Sequence, residues 1–169
     1  SSVASALAGG DVPLGVLPMG TLNHFARDLG VPLDPEGAAA VIVGNALRRV
    51  DVASVGDRVV VNDVAIGAYP LMVMARERLV DEGRLAKGPA MAVAVARILH
   101  RFPLFDLHLE VEEEELRFST PAVLIGTSPY DLARIPPYGR PTLEAGQLAV
   151  YVLDATRRRH LGTVLARGL

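Results

Sequence analysis

Between residues 105 and 111, apolar Phe105, Leu107, Leu109 and Val111 alternate with Asp106, His108 and Glu110. A period of two marks an antiparallel strand with one face covered and the other in water. The four glutamates at 112–115 repel one another and predict a solvated hairpin tip, with Leu116 and Phe118 opening the return strand. Such a hairpin excludes an all-helical chain. Further strands are predicted over 50–55 and 58–66, with Gly56-Asp57 as the turn signal between them, and over 121–126 and 148–153. The last is apolar on both faces, which predicts a central position in its sheet. A helix is predicted over 71–80, with Leu71, Met74, Ala75 and Leu79 on one side. Glu82-Gly83-Arg84 interrupts it, and Pro89 opens a second helix whose stripe is Met91, Ala94, Val95, Ile98 and Leu99. Strands arranged around a helical insertion predict an α+β fold rather than a repeating βα fold.

The first 47 residues read differently. SSVASALAGG resembles the end of a short helix closed by Gly9-Gly10, and VPLGVLP (residues 12–18) an apolar strand between turns. LNHFARDLG predicts two helical turns, with Phe25 and Leu29 on one face and Gly30 at the C-terminal cap. Pro35 is placed to open a helix over 35–47. A lone buried strand of this kind belongs to a parallel sheet, so its neighbours are expected outside this sequence. Both ends read as cut from something longer: residue 1 is Ser, and TRRRHLGTVLARGL stops within a helical pattern. An unpaired strand at 12–18 would have open edges, which predicts a homodimer or aggregation.

Composition narrows the function. Seventeen Lys plus Arg against nineteen Asp plus Glu give a net charge of −2, so no nucleic-acid partner is expected. Without cysteine there is no disulfide framework, thiolate zinc site or cysteine nucleophile. The four histidines (24, 100, 108, 160) form no close ligand pair, so no metal held by this chain alone is expected. No apolar run approaches the roughly 18 residues of a transmembrane helix. A cytoplasmic protein, peripheral at a membrane, is the expectation.

The junction from the 12–18 run into the next helix carries the first candidate site. Backbone N–H groups at a helix N-terminus favour anions. Gly20 permits close backbone approach, Thr21 offers a hydroxyl and Asn23 an amide. The same residues also suit a plain turn with a threonine N-cap. Near the C-terminus, Arg157-Arg158-Arg159-His160 beside Leu161, Val164 and Leu165 suits either anionic lipid headgroups or a solvated helix face.

The stretch PLGVLPMGTLNHFARDLGVP resembles the "lGvlPlGTlNhFArdlGip" segment of the bacterial diacylglycerol kinase-like lipid kinases, relatives of sphingosine kinases. The likeness continues through VDVASV, VNDVAIGAYPLMVMARE and, more loosely, YGRPTLEAGQLAVYVL. It implies that residues 1–47 are the C-terminal part of a nucleotide-binding α/β domain. Residues 48–155 would then be a β-sandwich-like second domain with helices at about 70–101, and 156–169 the start of a C-terminal helix. The resemblance implies ATP with Mg2+ as cofactors and a diacylglycerol-like lipid hydroxyl as phosphoryl acceptor. Gly20, Thr21 and Asn23 match the GTxN element at the ATP cleft. Asn62, Gly67, Tyr69, Arg76 and Glu77 match segments placed on the lipid side.

Departures from the pattern bear on activity. The family's GGDGT loop is expected before Ser1 and its late DGE element after Leu169, both outside this sequence. Where the family has a "DDG.L" turn, this chain has Glu144-Ala145-Gly146-Gln147-Leu148, and the "gNnpY" asparagine is replaced within Thr127-Ser128-Pro129-Tyr130. Ala145 stands where a general base is expected and cannot accept a proton; Glu144 is the substitute to consider. The expectation is a fragment of a lipid kinase that is inactive as an isolated chain. The alternative is a lipid-binding or regulatory module that has lost catalysis.

Overall fold

The computed structural model describes residues 2–20, 22–101, 104–111, 113–131 and 139–153, the side chains of residues 99 and 101 excepted. The expected features at Thr21, Glu112 and the basic helix at 156–169 lie outside the described residues. The fold is α+β, as expected, with helices and antiparallel strand pairs. In chain order come α1 (Ser2–Leu7), α2 (His24–Leu29), α3 (Pro35–Val43), β1 (Ala53–Val55), β2 (Arg58–Val60) and β3 (Asp63–Gly67). Then follow α4 (Ala68–Asp81), α5 (Lys87–Arg101), β4 (Phe105–Val111), β5 (Glu114–Thr120), β6 (Ala122–Gly126) and β7 (Ala149–Val152). The chain divides into two compact units, one of residues 1–64 with 125–149, the other of 65–124 with the segment from 150 onward.

In the first unit, β1 and β2 pair antiparallel in the register Ala53↔Val60, Ser54↔Val59 and Val55↔Arg58. Gly56 takes φ 56° in the two-residue turn between them, a conformation cheap only for glycine. α1 lies against β2, where the Val59 N–H donates to Ser5 Oγ at 2.8 Å. α2 ends as expected on Gly30 in the left-handed region, its N–H returning to the Ala26 and Arg27 carbonyls. α3 opens on Pro35, and Asp34 caps it by accepting from the Gly37 N–H at 2.7 Å.

Three expectations for this unit are corrected. α3 stops at Val43, short of 47, because Gly44 propagates a helix poorly and Asn45 turns left-handed at φ 52°. The predicted 12–18 strand is not one: Pro13 and Pro18 carry no N–H, and among the described residues no ladder partner pairs with it. Val12, Leu14, Leu17 and Met19 there are exposed. The predicted 58–66 strand divides into β2 and β3 at Val61-Asn62, whose carbonyls accept from Arg140 Nη1 and from the Thr127 N–H instead of extending the β2 ladder.

In the second unit, α4 and α5 pack around Ala68, Met72, Met91, Ala94 and Ile98, with Ala75, Val95 and Ala122 against them. Of the expected α5 stripe, Met91, Ala94, Val95 and Ile98 face this core. Of the expected α4 face, Leu79 is buried and Ala75 packs on the core, but Leu71 and Met74 face solvent and Met72, 1% exposed, takes their place. The β4–β5 hairpin holds full register from Phe105↔Thr120 to Val111↔Glu114, as the alternation requires. Gly67, at φ 90°, joins β3 to α4; a Cβ there would stand 2.3 Å from the Pro121 carbonyl oxygen. The three remaining strands pair in the order β3-β6-β7, so β6 is central and β7, expected at the centre, is at the edge. No helix among the described residues is long and apolar enough to cross a membrane.

Candidate functional site

The Gly20–Asn23 turn is closed by Asn23 itself. Asn23 sits at φ 51° before α2; its Oδ1 accepts from the Gly20 N–H at 2.8 Å and its Nδ2 donates to the Pro18 carbonyl at 3.0 Å. A Cβ on residue 20 would lie 3.0 Å from that Oδ1, which explains the glycine. The amide of Asn23 is therefore spent on shaping the bend, and the expected outward-facing donor is directed inward. Arg27 reinforces the bend, its Nε donating to the Leu22 carbonyl at 3.1 Å.

At its other end α2 is anchored by a buried ion pair that local sequence patterns do not reveal. Arg140 Nε donates to Asp28 Oδ2 at 2.8 Å and its backbone N–H to Oδ1 at 3.3 Å; the two side chains are 0% and 6% exposed. Arg140 Nη1 also donates to the Val61 carbonyl at 3.2 Å and to the Thr127 hydroxyl at 2.5 Å. The Thr127 N–H donates to the Asn62 carbonyl at 3.0 Å. Asn62 Nδ2 donates to Asp63 Oδ1 at 2.5 Å, and the Tyr130 hydroxyl donates to the same oxygen at 3.1 Å. Burial, then the Asp63 carboxylate and the bond to it, push the Tyr130 phenol far above its usual range, so it stays protonated. A single knot thus ties α2, the start of β3 and the segment after β6. Removing either charge would leave the other buried and unpaired.

The remaining candidates divide between the units. Gly20, Asn23, Asn62 and Glu144 belong to the first, Gly67, Tyr69 and Arg76 to the second. Tyr69 is 47% exposed on α4 rather than part of a core. Arg76 reaches its neighbour Glu77 at 3.4 Å on the same helix, a solvent-exposed contact of little energetic consequence. Glu144 accepts from Arg48 Nε at 2.8 Å, both side chains about half exposed. Across the same loop Asp51 Oδ2 accepts from the Gly146 N–H at 2.6 Å, and the Asp51 N–H donates to the Leu143 carbonyl at 2.7 Å. Glu144 and Asp51 are thus both engaged in holding the loop.

The first unit also contains an open cleft of about 630 Å³, within the range of ligand pockets. Its walls are mostly apolar, including Leu14, Val16, Phe25, Leu29 and Ile42, and neither Gly20 nor Asn23 lines it. Among the described residues, one group of three side chains could share a metal ion: His108, Glu110 and Glu115 on the β4–β5 hairpin. All three are exposed, and Glu115 already contacts His108 at 3.4 Å and Arg117 at 3.5 Å.

Residues 1–55 match the family model of the diacylglycerol kinase catalytic domain. The chain is 40% identical over 75 residues to a probable lipid kinase, YegS-like, of Pseudomonas aeruginosa, covering 43% of this chain and 24% of that protein. It is 38% identical over 58 residues to a diacylglycerol kinase of Mycobacterium tuberculosis, covering 34% of this chain and 19% of the other. The chain thus spans less than a third of the length of these relatives. The fold matches the crystal structure of a diacylglycerol kinase from Bacillus anthracis strain Sterne with a TM-score of 0.62 and 20% identity, covering 96% of this chain and 53% of that one.

Proposed function

We propose that this chain, a member of the diacylglycerol kinase-like family of lipid kinases, is part of an enzyme that transfers the γ-phosphate of ATP to the hydroxyl of a diacylglycerol-like lipid. In this reading residues 1–47 close a nucleotide-binding α/β domain. Residues 48–155 form most of a sandwich-like second domain. The observation that carries it is the Gly20–Asn23 bend: a glycine bend shaped by its own asparagine and leading into α2, whose other end is anchored by the Asp28–Arg140 pair. Phosphoryl transfer depends on positioning and electrostatic stabilisation, so a bend with a defined shape is the part a scaffold must supply.

The described residues do not by themselves fit a triphosphate with its magnesium. The Gly20 N–H and both ends of the Asn23 amide are consumed within the bend, and Glu144 and Asp51 are engaged. The isolated 169-residue chain is therefore expected to be inactive, with nucleotide affinity and turnover residing in a longer polypeptide. With ATP, magnesium and diacylglycerol in mixed micelles, the chain should give no phosphorylated lipid above a protein-free blank. A longer polypeptide containing it should give product. Turnover by the isolated chain would refute the assignment of the missing chemistry to other segments.

The substitution at Ala145 favours a second reading, a lipid-binding or regulatory module without catalysis. Absence of product from the longer polypeptide, with retained binding to diacylglycerol-containing vesicles, would select it.

A further inference from the structure

We infer that Arg140, Asn62 and Ser128 hold an internal water molecule as a permanent part of the first unit, and that Asn62 is a positioning residue rather than a lipid contact. Among the described residues of this unit, three buried side-chain atoms have no protein partner: Arg140 Nη2, Asn62 Oδ1 and Ser128 Oγ. They belong to one knot. Arg140 Nη1 bonds the residue before Asn62 and the residue before Ser128, and the Thr127 N–H bonds the Asn62 carbonyl. Arg140 and Ser128 are among the most enclosed residues of the chain, at 6% and 0% exposure. Buried polar atoms are almost always paired, so three orphans in one knot point to a shared partner.

The chemistry of the three atoms selects that partner. A guanidinium Nη2 only donates, an amide Oδ1 only accepts, and a serine hydroxyl does either. The orientation of the Asn62 amide is fixed by Asp63, whose carboxylate takes the Nδ2 donor; reversal would set two oxygens against each other. A cation would be repelled by Nη2, and an anion by Oδ1 and the nearby Asp63 carboxylate. Water satisfies all three, accepting from Nη2, donating to Oδ1, and exchanging a bond with Oγ. Three bonds is the usual number for an internal water, and about one such water per 27 residues is ordinary. This inference does not depend on the kinase reading.

The test is a crystal structure of the 169-residue chain at about 1.5 Å resolution, paired with oxygen-17 relaxation dispersion to count slowly exchanging waters. The expected result is one ordered water within about 2.7–3.2 Å of all three atoms. Direct pairing of the three atoms with one another, empty density, or a site that refines as an ion would overturn the proposal. Asn62→Leu should remove one slowly exchanging water, and Ser128→Ala, a milder change, should shorten its residence at least tenfold. An unchanged dispersion amplitude and residence time in a folded variant of either kind would also overturn it.

Discussion

The two units of this chain are stabilised by different physics. The second is held by apolar packing: Met72, Met91 and Ile98 pack with Ala68 and Ala94. In the first, the described buried apolar residues are mostly alanines, and a guanidinium is buried with its carboxylate. Apolar contacts are non-directional, so a methionine core tolerates reshaping. A forked cation in a buried site tolerates almost none, because each unmade bond carries a desolvation cost. The contrast predicts that conservative substitutions will be mild in one unit and severe in the other.

Replacing Arg140 with Met should have the largest effect, about 3–5 kcal/mol of unfolding free energy in urea, because Asp28 is left charged and buried. Arg140→Lys should recover little of this, since an ammonium cannot serve Asp28, Val61 and Thr127 together. The double variant Asp28→Leu/Arg140→Met should be more stable than either single one, and its failure to be so would remove the distinction between the units. Met72→Ala should cost about 2–5 kcal/mol, but Met72→Leu under about 1.5 kcal/mol, by the same melts.

Tyr130 gives the comparison a pH axis. Its folded-state phenol is harder to ionise than the free one, whose ordinary pKa is about 10. The unfolded chain therefore releases this proton first, and the stability it contributes is present below about pH 10 and lost as pH rises above that value. Tyr130→Phe should cost about 1–2 kcal/mol at neutral pH and flatten the alkaline decline in unfolding free energy. Asn23→Ala should cost about 1 kcal/mol, with the loss seen as faster amide exchange at Gly20. Glu144→Gln, at a half-exposed pair, should change unfolding free energy by less than about 0.5 kcal/mol.

What could be read from the sequence follows the same division. The α5 stripe and the β4–β5 alternation are local patterns: Met91, Ala94, Val95 and Ile98 meet the core as expected, and the alternation holds from Phe105 to Glu110, although Val111 is exposed. On α4 the pattern was ambiguous by one residue, because Leu71, Met72 and Met74 are all apolar, and tertiary packing chose Met72. The 12–18 run has strand-like hydrophobicity, but two prolines and the lack of a pairing neighbour among the described residues outweigh it. The spacing of Gly20 and Asn23 marked them as one unit, although not that the amide turns back onto the glycine. The Asp28–Arg140 pair gave no signal at all. Asp28 reads as the polar side of a short helix and Arg140 as a loop residue, and only the fold makes them partners.

The discontinuity of the first unit also sets an order of assembly during synthesis. Asp28 and Arg140 are 112 residues apart, so at about 5–20 residues per second the carboxylate waits roughly 6–22 s for its guanidinium. All the helices and strands from α4 to β6 leave the ribosome in that interval, and the α4–α5 pair can form from neighbouring contacts alone. The α4–α5 pair can thus form first, and the far end of α2 is anchored only after translation has passed residue 140.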